Sequence, residues 1–197
     1  MKYQLYKPNS KSSGCAMGFS IGNAKDGSPS LYISAVLQSG WNDKTKTGSF
    51  AGNAKDSTKS GNFKMNSSEA GEMISSIKNR IPVVFFHKYN EDTTIIKLTP
   101  WDKERKIKTQ NGEEIFKVPA FGLSITKNSS QNFKIALEPG ETEILMVLLS
   151  EFIKQDLELQ KNKTQQESQN QQESQAQQSQ SKNKSQERDP FEDDAPF

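Results

Sequence analysis

Two stretches of this chain repeat one another, and that repetition restricts the folds open to it more than any other feature. Residues 62–77 read NFKMNSSEAGEMISSI and residues 132–147 read NFKIALEPGETEILMV. Each opens on Asn-Phe-Lys followed by an apolar residue, Met65 or Ile135, and passes through a turn-forming stretch into apolar positions at helical spacing. Strand, turn, helix is the order both predict. Ile74 and Ile77 stand at the same offset from the triplet as Ile144 and Val147, and upstream Gly52 stands at the offset of Gly122. A long internal period marks a duplicated supersecondary unit. The chain should therefore contain its elements twice.

The elements around each copy fit that expectation. After a polar lead-in that holds Tyr3, Leu5 and Tyr6, residues 15–21 and 31–37 alternate apolar with small or polar side chains, the period of a half-buried strand. The Gly- and Lys-rich residues 38–61 have room for one short strand near 49–53. Asn66 or Ser67 caps a helix over 68–79. In the second half, strands are predicted at 83–86, 93–98, 106–109, 114–118, 121–126 and 132–137. Asn111-Gly112 is a strong hairpin signal, because both residues tolerate positive φ. A helix over 141–159 carries Ile144, Leu145, Leu148, Phe152 and Ile153 as its apolar stripe, with Glu141 and Glu143 in the first turn, where the helix dipole favours them. The expected fold class is α+β: a duplicated four-strand-plus-helix unit, with two antiparallel sheets and two helices.

Composition divides the chain again. Of 197 residues, those beyond about 160 are almost all Gln, Ser, Asn, Lys or Glu. Such a segment cannot bury enough apolar surface to offset its chain entropy. The expected organisation is a folded domain over 1–160, a disordered linker over 161–188 and an acidic tip over 189–197. The formal net charge is +2, but the last nine residues hold four acids and no base, which leaves +6 on residues 1–188. A basic body suits a polyanion, and an acidic tip suits a basic patch on a protein.

Catalysis finds little support. Cys15 is the only cysteine and His87 the only histidine, so there is no internal disulfide, no thiolate-rich zinc site and only one conceivable Cys–His pair. No phosphate-binding Gly loop or metal-ligand spacing occurs, and no cofactor is expected. The longest aliphatic run is too short to span a bilayer and the N-terminus lacks a signal-peptide core, so an intracellular protein is expected.

Binding of single-stranded nucleic acid needs lysines along a backbone path and aromatic faces for bases, and the chain groups both. Trp41, Lys44, Lys46 and Phe50 form one group. Lys88 and Tyr89 lie in a second, beside Phe86 and His87. Lys97, Trp101, Lys106 and Lys108 lie in a third, with Lys103 and Arg105. These ten residues, the two added neighbours in each of the second and third groups aside, are the candidate DNA contacts. Alternation lets only one of Phe85 and Phe86 face solvent, and core is the expected place for both. Trp101, after Pro100 in a charged stretch, is expected in a loop. Lys64 and Lys134 hold matching repeat positions as solvent-facing strand lysines.

Several segments resemble the Whirly family of single-stranded-DNA-binding proteins. Ser67-Ser68-Glu69-Ala70-Gly71-Glu72-Met73-Ile74 looks like that family's helix start, with Phe85-Phe86-His87 after it, and the closing strand and helix are similar in pattern. Gly14-Cys15-Ala16-Met17 lies where the family has Lys-Gly-Lys-Ala-Ala-Leu, but without the second lysine. The resemblance covers about residues 3–157 and implies a duplicated sheet-and-helix fold, single-stranded-DNA binding and a homo-oligomer, a tetramer in that family. The tip resembles that of bacterial single-stranded-DNA-binding proteins, in which acidic residues precede an apolar residue, Pro and Phe. Asp189, Phe191, Glu192, Asp193, Asp194, Pro196 and Phe197 are its candidate partner-binding residues. The expected function is protection of single-stranded DNA in replication, recombination or repair, in a bacterium or phage, with partner enzymes recruited through the tip. A transcriptional regulator or an RNA-binding protein on the same fold is the alternative.

Overall fold

The structure, a computed structural model, describes residues 1–110 and 112–184, with side chains described to residue 165. The chain divides into two units, Met1–Asp156 and Leu157–Phe197. In the first unit, β1 (Lys2–Lys7), β2 (Cys15–Asn23), β3 (Pro29–Leu37) and β6 (Ser60–Met65) form an antiparallel sheet in the order β1-β2-β3-β6. A small ribbon of β4 (Gly40–Asn42) and β5 (Thr47–Ser49), then a 3-10 turn at Ala51–Asn53, interrupts the run between β3 and β6. Helix α1 (Ser67–Asn79) follows. A second antiparallel sheet, β7 (Val83–Tyr89), β8 (Asp92–Thr109), β9 (Gly112–Lys127) and β10 (Gln131–Leu137), lies in simple meander order and leads into α2 (Pro139–Lys184). The expected class, two four-stranded sheets each followed by a helix, is the one observed.

The repeat meets itself in the core. Phe63 in β6 and Phe133 in β10 both point inward, and their rings touch edge to face with centroids 5.8 Å apart. Around them Leu31, Ile33, Met65, Ile96, Leu123 and Ile125, together with Met73 of α1 and Leu145, Leu149 and Phe152 of α2, make one continuous buried cluster. One core spanning both copies means that neither copy completes its apolar interior alone.

The helices do not keep the strands' offset. The buried positions of α1 are Ala70, Met73, Ser76 and Ile77, and those matching them in α2 are Thr142, Leu145, Leu148 and Leu149, two residues later than the triplet offset requires. The reason is local. β6 ends two residues after Phe63, whereas β10 runs on to Leu137, and each helix starts straight after its strand. Asn66 caps α1 by accepting from the Glu69 backbone at 2.9 Å while the Glu69 carboxylate accepts from Asn66 N at 3.0 Å. At the later position the Glu141 carboxylate accepts from Glu138 N at 2.8 Å. Ile144, predicted in the stripe, and Val147, its neighbour by the repeat offset, consequently lie outside it at 51% and 62% exposure, while Leu145, Leu148 and Phe152 are buried as predicted. Gly52 falls in the 3-10 turn and has no counterpart relation to Gly122 in β9.

Other expectations change as well. The strands predicted separately at 93–98 and 106–109 are one strand, β8, and those at 114–118 and 121–126 are one strand, β9. The charged residues between them alternate across an unbroken ladder from Thr94↔Lys127 to Thr109↔Gly112, which places Trp101 in β8 opposite Ala120. Phe85 is buried, but Phe86 is 63% exposed. The backbone stays helical to Lys184, beyond the predicted end at residue 159 and through most of the expected linker. No Gly or Pro occurs between Gly140 and Pro190, and Gln, Glu and Lys are good helix formers. The tip, 189–197, lies outside the described residues.

Candidate nucleic-acid interface

Each sheet buries one face in the shared core and leaves the other outward, and strand register decides which side chains the outer faces carry. On the first sheet the outward rows read Lys2, Ser20, Tyr32, Lys64; then Gln4, Gly18, Ser34, Asn62; then Tyr6, Ala16, Val36, Ser60. On the second they read Phe86, Ile95, Thr126, Asn132; then Val84, Lys97, Ser124, Lys134; then Thr99, Gly122, Ala136; then Trp101 and Ala120. Neither set contains an Asp or Glu. The charged groups in these rows are lysines, and Lys2, Lys64, Lys97 and Lys134 have no carboxylate partner among the described residues.

The first sheet's outer face is hollowed. Gly18 is its floor, since a Cβ there would stand 2.7 Å from Ser34 Oγ. Tyr6 and Phe50 form one wall, edge to face at 5.9 Å, and the 3-10 turn supplies Ala51 and Ala54. The resulting depression encloses about 290 Å³, with the Gln4 amide and the Ser34 hydroxyl at its lining. Small residues beneath and aromatic edges beside such a hollow leave room for a flat ring.

Gln38, buried at the end of β3, holds that wall in place. Its Oε1 accepts from Asn9 N at 2.9 Å and Gly14 N at 3.1 Å, while Nε2 donates to Asn9 O at 3.0 Å and Gly40 O at 2.8 Å. All four groups are backbone, so one side chain ties the β1–β2 loop to the β4–β5 ribbon. The approach is close enough that Gly14 and Gly48 admit no Cβ: it would meet Gln38 Oε1 at 2.4 Å in one case and Pro8 Cβ at 2.3 Å in the other.

The structure gathers some of the candidate contacts and separates others. Lys97 and Trp101 share the second sheet's outer face with Lys134 and Phe86, and Lys88 follows Phe86 on the same face. Tyr89 alternates to the opposite face and is 80% exposed. Trp41 sits half-buried on the ribbon, its indole donating to Asp43 at 3.1 Å. Lys44 and Lys46 occupy the ribbon's tip, and Lys46 lies 3.7 Å from Asp43. Phe50 lines the hollow. Lys106 and Lys108 alternate away from Trp101, and Lys106 is paired with Glu113 at 2.9 Å. Sequence reasoning missed Tyr6 and Tyr32, and expected in the core a Phe86 that is exposed. The signal was available, because each adjoins an apolar residue that the structure buries: Leu5 beside Tyr6, Leu31 and Ile33 beside Tyr32, and Phe85 beside Phe86.

The fold is Whirly-like. It is similar to the solved structure of the plant transcriptional regulator PBF-2, with a TM-score of 0.50, 14% identity, and coverage of 82% of this chain and 85% of that one. It is likewise similar to that of WHY1 from Arabidopsis thaliana, with a TM-score of 0.51, 12% identity, and coverage of 85% and 91%. No protein-family profile and no curated protein matches the sequence.

A catalytic pair is not assembled on this Whirly-like scaffold. Cys15 is buried, and burial pushes its thiol up to about 11, so it stays protonated at neutral pH. His87 Nε2 lies 2.5 Å from Glu69 Oε1, taken up by the helix cap. Among the described residues no cluster of His, Cys, Asp and Glu could hold a metal ion, and no helix is long and apolar enough to cross a membrane.

Carboxylates gather instead at the base of the second sheet. Glu138 accepts from Lys103 and lies 3.9 Å from Lys7, which itself meets Glu141 at 2.5 Å. The hydrogen bond from Lys103, and after it the charges of Lys103, Lys7 and Arg105, hold the Glu138 carboxyl below its ordinary 4.5 against an opposing effect of burial. A lowered folded-state pKa stabilises above the unfolded value and ceases to do so as pH falls through the folded one. Glu138→Gln should thus lower the urea midpoint at neutral pH, with the deficit shrinking steadily below pH 4.5. A deficit that is the same on both sides of that value would show that charge at Glu138 contributes nothing.

Proposed function

We propose that the protein binds single-stranded DNA along the outer faces of its two sheets, serving replication, recombination or repair. One observation carries the reading: both faces combine lysines that have no carboxylate partner among the described residues with exposed aromatic rings and small residues, and neither carries a carboxylate in its rows. Lysines along the strand path supply affinity through counterion release, and Phe86, Trp101, Tyr6, Tyr32 and Phe50 offer faces or edges for stacked bases. No hydrogen-bonding code is needed for a mode that reads backbone and ring alone. Duplex DNA keeps its bases stacked inside and presents no rings to such a face.

In this reading the protein is a homo-oligomer, with the exposed Ile144 and Val147 of α2 at a subunit contact, and a tetramer is the form the resemblance implies. The tip recruits partner proteins. Phe197 offers an apolar ring while Asp193 and Asp194 draw it to a basic rim. A second reading, transcriptional regulation, is favoured by the description of PBF-2 as a plant transcriptional regulator.

Titration of labelled single-stranded, duplex and RNA oligomers of equal length at several salt concentrations tests these. Log affinity for single-stranded DNA should fall with log salt at about 0.7 per phosphate neutralised. Lys64→Ala, Lys97→Ala and Lys134→Ala should each reduce that slope by about one contact. Phe86→Ala or Trp101→Ala should weaken binding by about 1–3 kcal/mol without lowering thermal stability. A flat salt response would remove the polyanion, tighter duplex binding would favour the regulator, and tighter RNA binding would reassign the ligand.

A further inference from the structure

The second sheet continues into an arm that is tied to the rest of the unit at its base, by Lys103 to Glu138 and by Asp102 to Arg80. β7 stops pairing at Val83↔Leu98 and β10 at Leu137↔Phe121, yet β8 and β9 go on for nine more pairs, Trp101↔Ala120 to Thr109↔Gly112. At about 3.3 Å per residue this two-stranded ribbon reaches roughly 30 Å. It carries Ile107, Ile115 and Phe116 at 45%, 57% and 44% exposure. A two-stranded ribbon with two open edges and three large exposed apolar side chains is marginal in water by itself.

The prolines tell which backbone groups face the open edges. Antiparallel pairs alternate between those that exchange both hydrogen bonds and those whose N–H and C=O point outward. Pro100, opposite Phe121, and Pro119, opposite Asp102, have no N–H to give, and both fall in the outward-pointing class. Asn128 N bonding to Thr93 O at 2.9 Å agrees, since it puts odd-numbered residues of β8 in the bonded class. Glu113, Ile115 and Lys117, in register with Pro119, therefore present their N–H and C=O to the free edge of β9. Pro119 ends that edge on one side and the hairpin ends it on the other.

We propose that residues 112–118 of β9 pair antiparallel with the same residues of a second copy, about a twofold axis at Ile115. That segment is symmetric about Ile115. The pairing sets Ile115 against its own copy, Glu113 against Lys117, Glu114 against Phe116 and Gly112 against Val118, so no like charges meet. It also brings the two Phe116 rings to diagonal positions, within reach of each other. The opposite edge is not self-complementary. Centred on Arg105 or Lys106 it sets that cation against itself, and centred on Ile107 it sets Lys106 against Lys108. A nucleic-acid occupant is disfavoured, because Asp102, Glu104, Glu113 and Glu114 nearly balance Lys103, Arg105, Lys106, Lys108 and Lys117. The pairing does not depend on what the outer faces bind.

Single cysteines in the full-length chain test it, with Cys15→Ser as background. Ile115→Cys should form an intermolecular disulfide under mild oxidation at least about tenfold faster than Ile107→Cys, because only the β9 edge is held against its copy. Ile115→Pro deletes an N–H that the ladder with β8 does not use, and should reduce the number of subunits seen by sedimentation. Equal rates at the two positions, faster reaction at Ile107, or an assembly unchanged by Ile115→Pro would each overturn the proposal.

Discussion

Phe133→Ala should destabilise the protein by about 3–5 kcal/mol, the usual cost of emptying a fully buried aromatic site. Phe133 is 0% exposed, and its ring meets Phe63 from the other copy of the repeat. Because that contact joins the two sheets, the cavity opens where both depend on it and cannot be refilled from one side. Phe63→Ala, at 6% exposure, should cost somewhat less. The double variant should cost less than the sum of the two by about 0.5–1.5 kcal/mol, the coupling expected of an edge-to-face pair. Urea unfolding of the four proteins measures all three quantities. Strict additivity would mean the two rings are neighbours without mutual dependence, and the account of one core shared by both copies would fail.

Gln38→Ala should cost about 2–4 kcal/mol, a loss confined to one corner of the molecule. The substitution strands Asn9 N, Gly14 N, Asn9 O and Gly40 O together, and a buried polar group left unpaired costs more than its hydrogen bond contributed. Water can reach some of them once the side chain is gone, which keeps the loss below the sum. Hydrogen exchange should rise in residues 9–14 and 40–49 while the second sheet stays protected. The Tyr6–Phe50 wall rests on that corner, so affinity for single-stranded DNA should fall too, although Gln38 lies beneath the face. Uniformly faster exchange across both sheets would show that Gln38 serves global stability and does not position the wall.

Much of the fold was legible in linear order. The Asn-Phe-Lys triplets placed two strands in equivalent roles, because an inward aromatic between two outward polar residues makes sense on one face of a sheet only. The cap at Asn66 was legible for the same kind of reason: a side-chain acceptor three residues before a Glu satisfies backbone groups whatever else is nearby. Of the stripe predicted for α2, Leu145, Leu148, Phe152 and Ile153 meet the core and Ile144 alone does not. The repeat offset failed there because the strand before the helix gained two residues, and a shift of two along a helix turns it by about 200°. The candidate site was partly legible. Lys97, Lys88 and Trp101, named as candidate cation and ring, lie on an outer face, whereas Phe86 was expected in the core and Tyr6 and Tyr32 were passed over, because an aromatic residue in a strand is ordinarily core.

By itself the sequence determined the duplication, the α+β class, the two antiparallel sheets with two helices and the basic body, since these follow from period, turn chemistry and charge, all properties of neighbours along the chain. Tertiary structure decided which face of each strand met the core, which lysines ended without a carboxylate, and that β8 and β9 run past their sheet as an arm. Those outcomes depend on register between segments far apart in sequence. A one-residue slip in register exchanges the two faces of a strand, and no local pattern records which register a distant partner will impose.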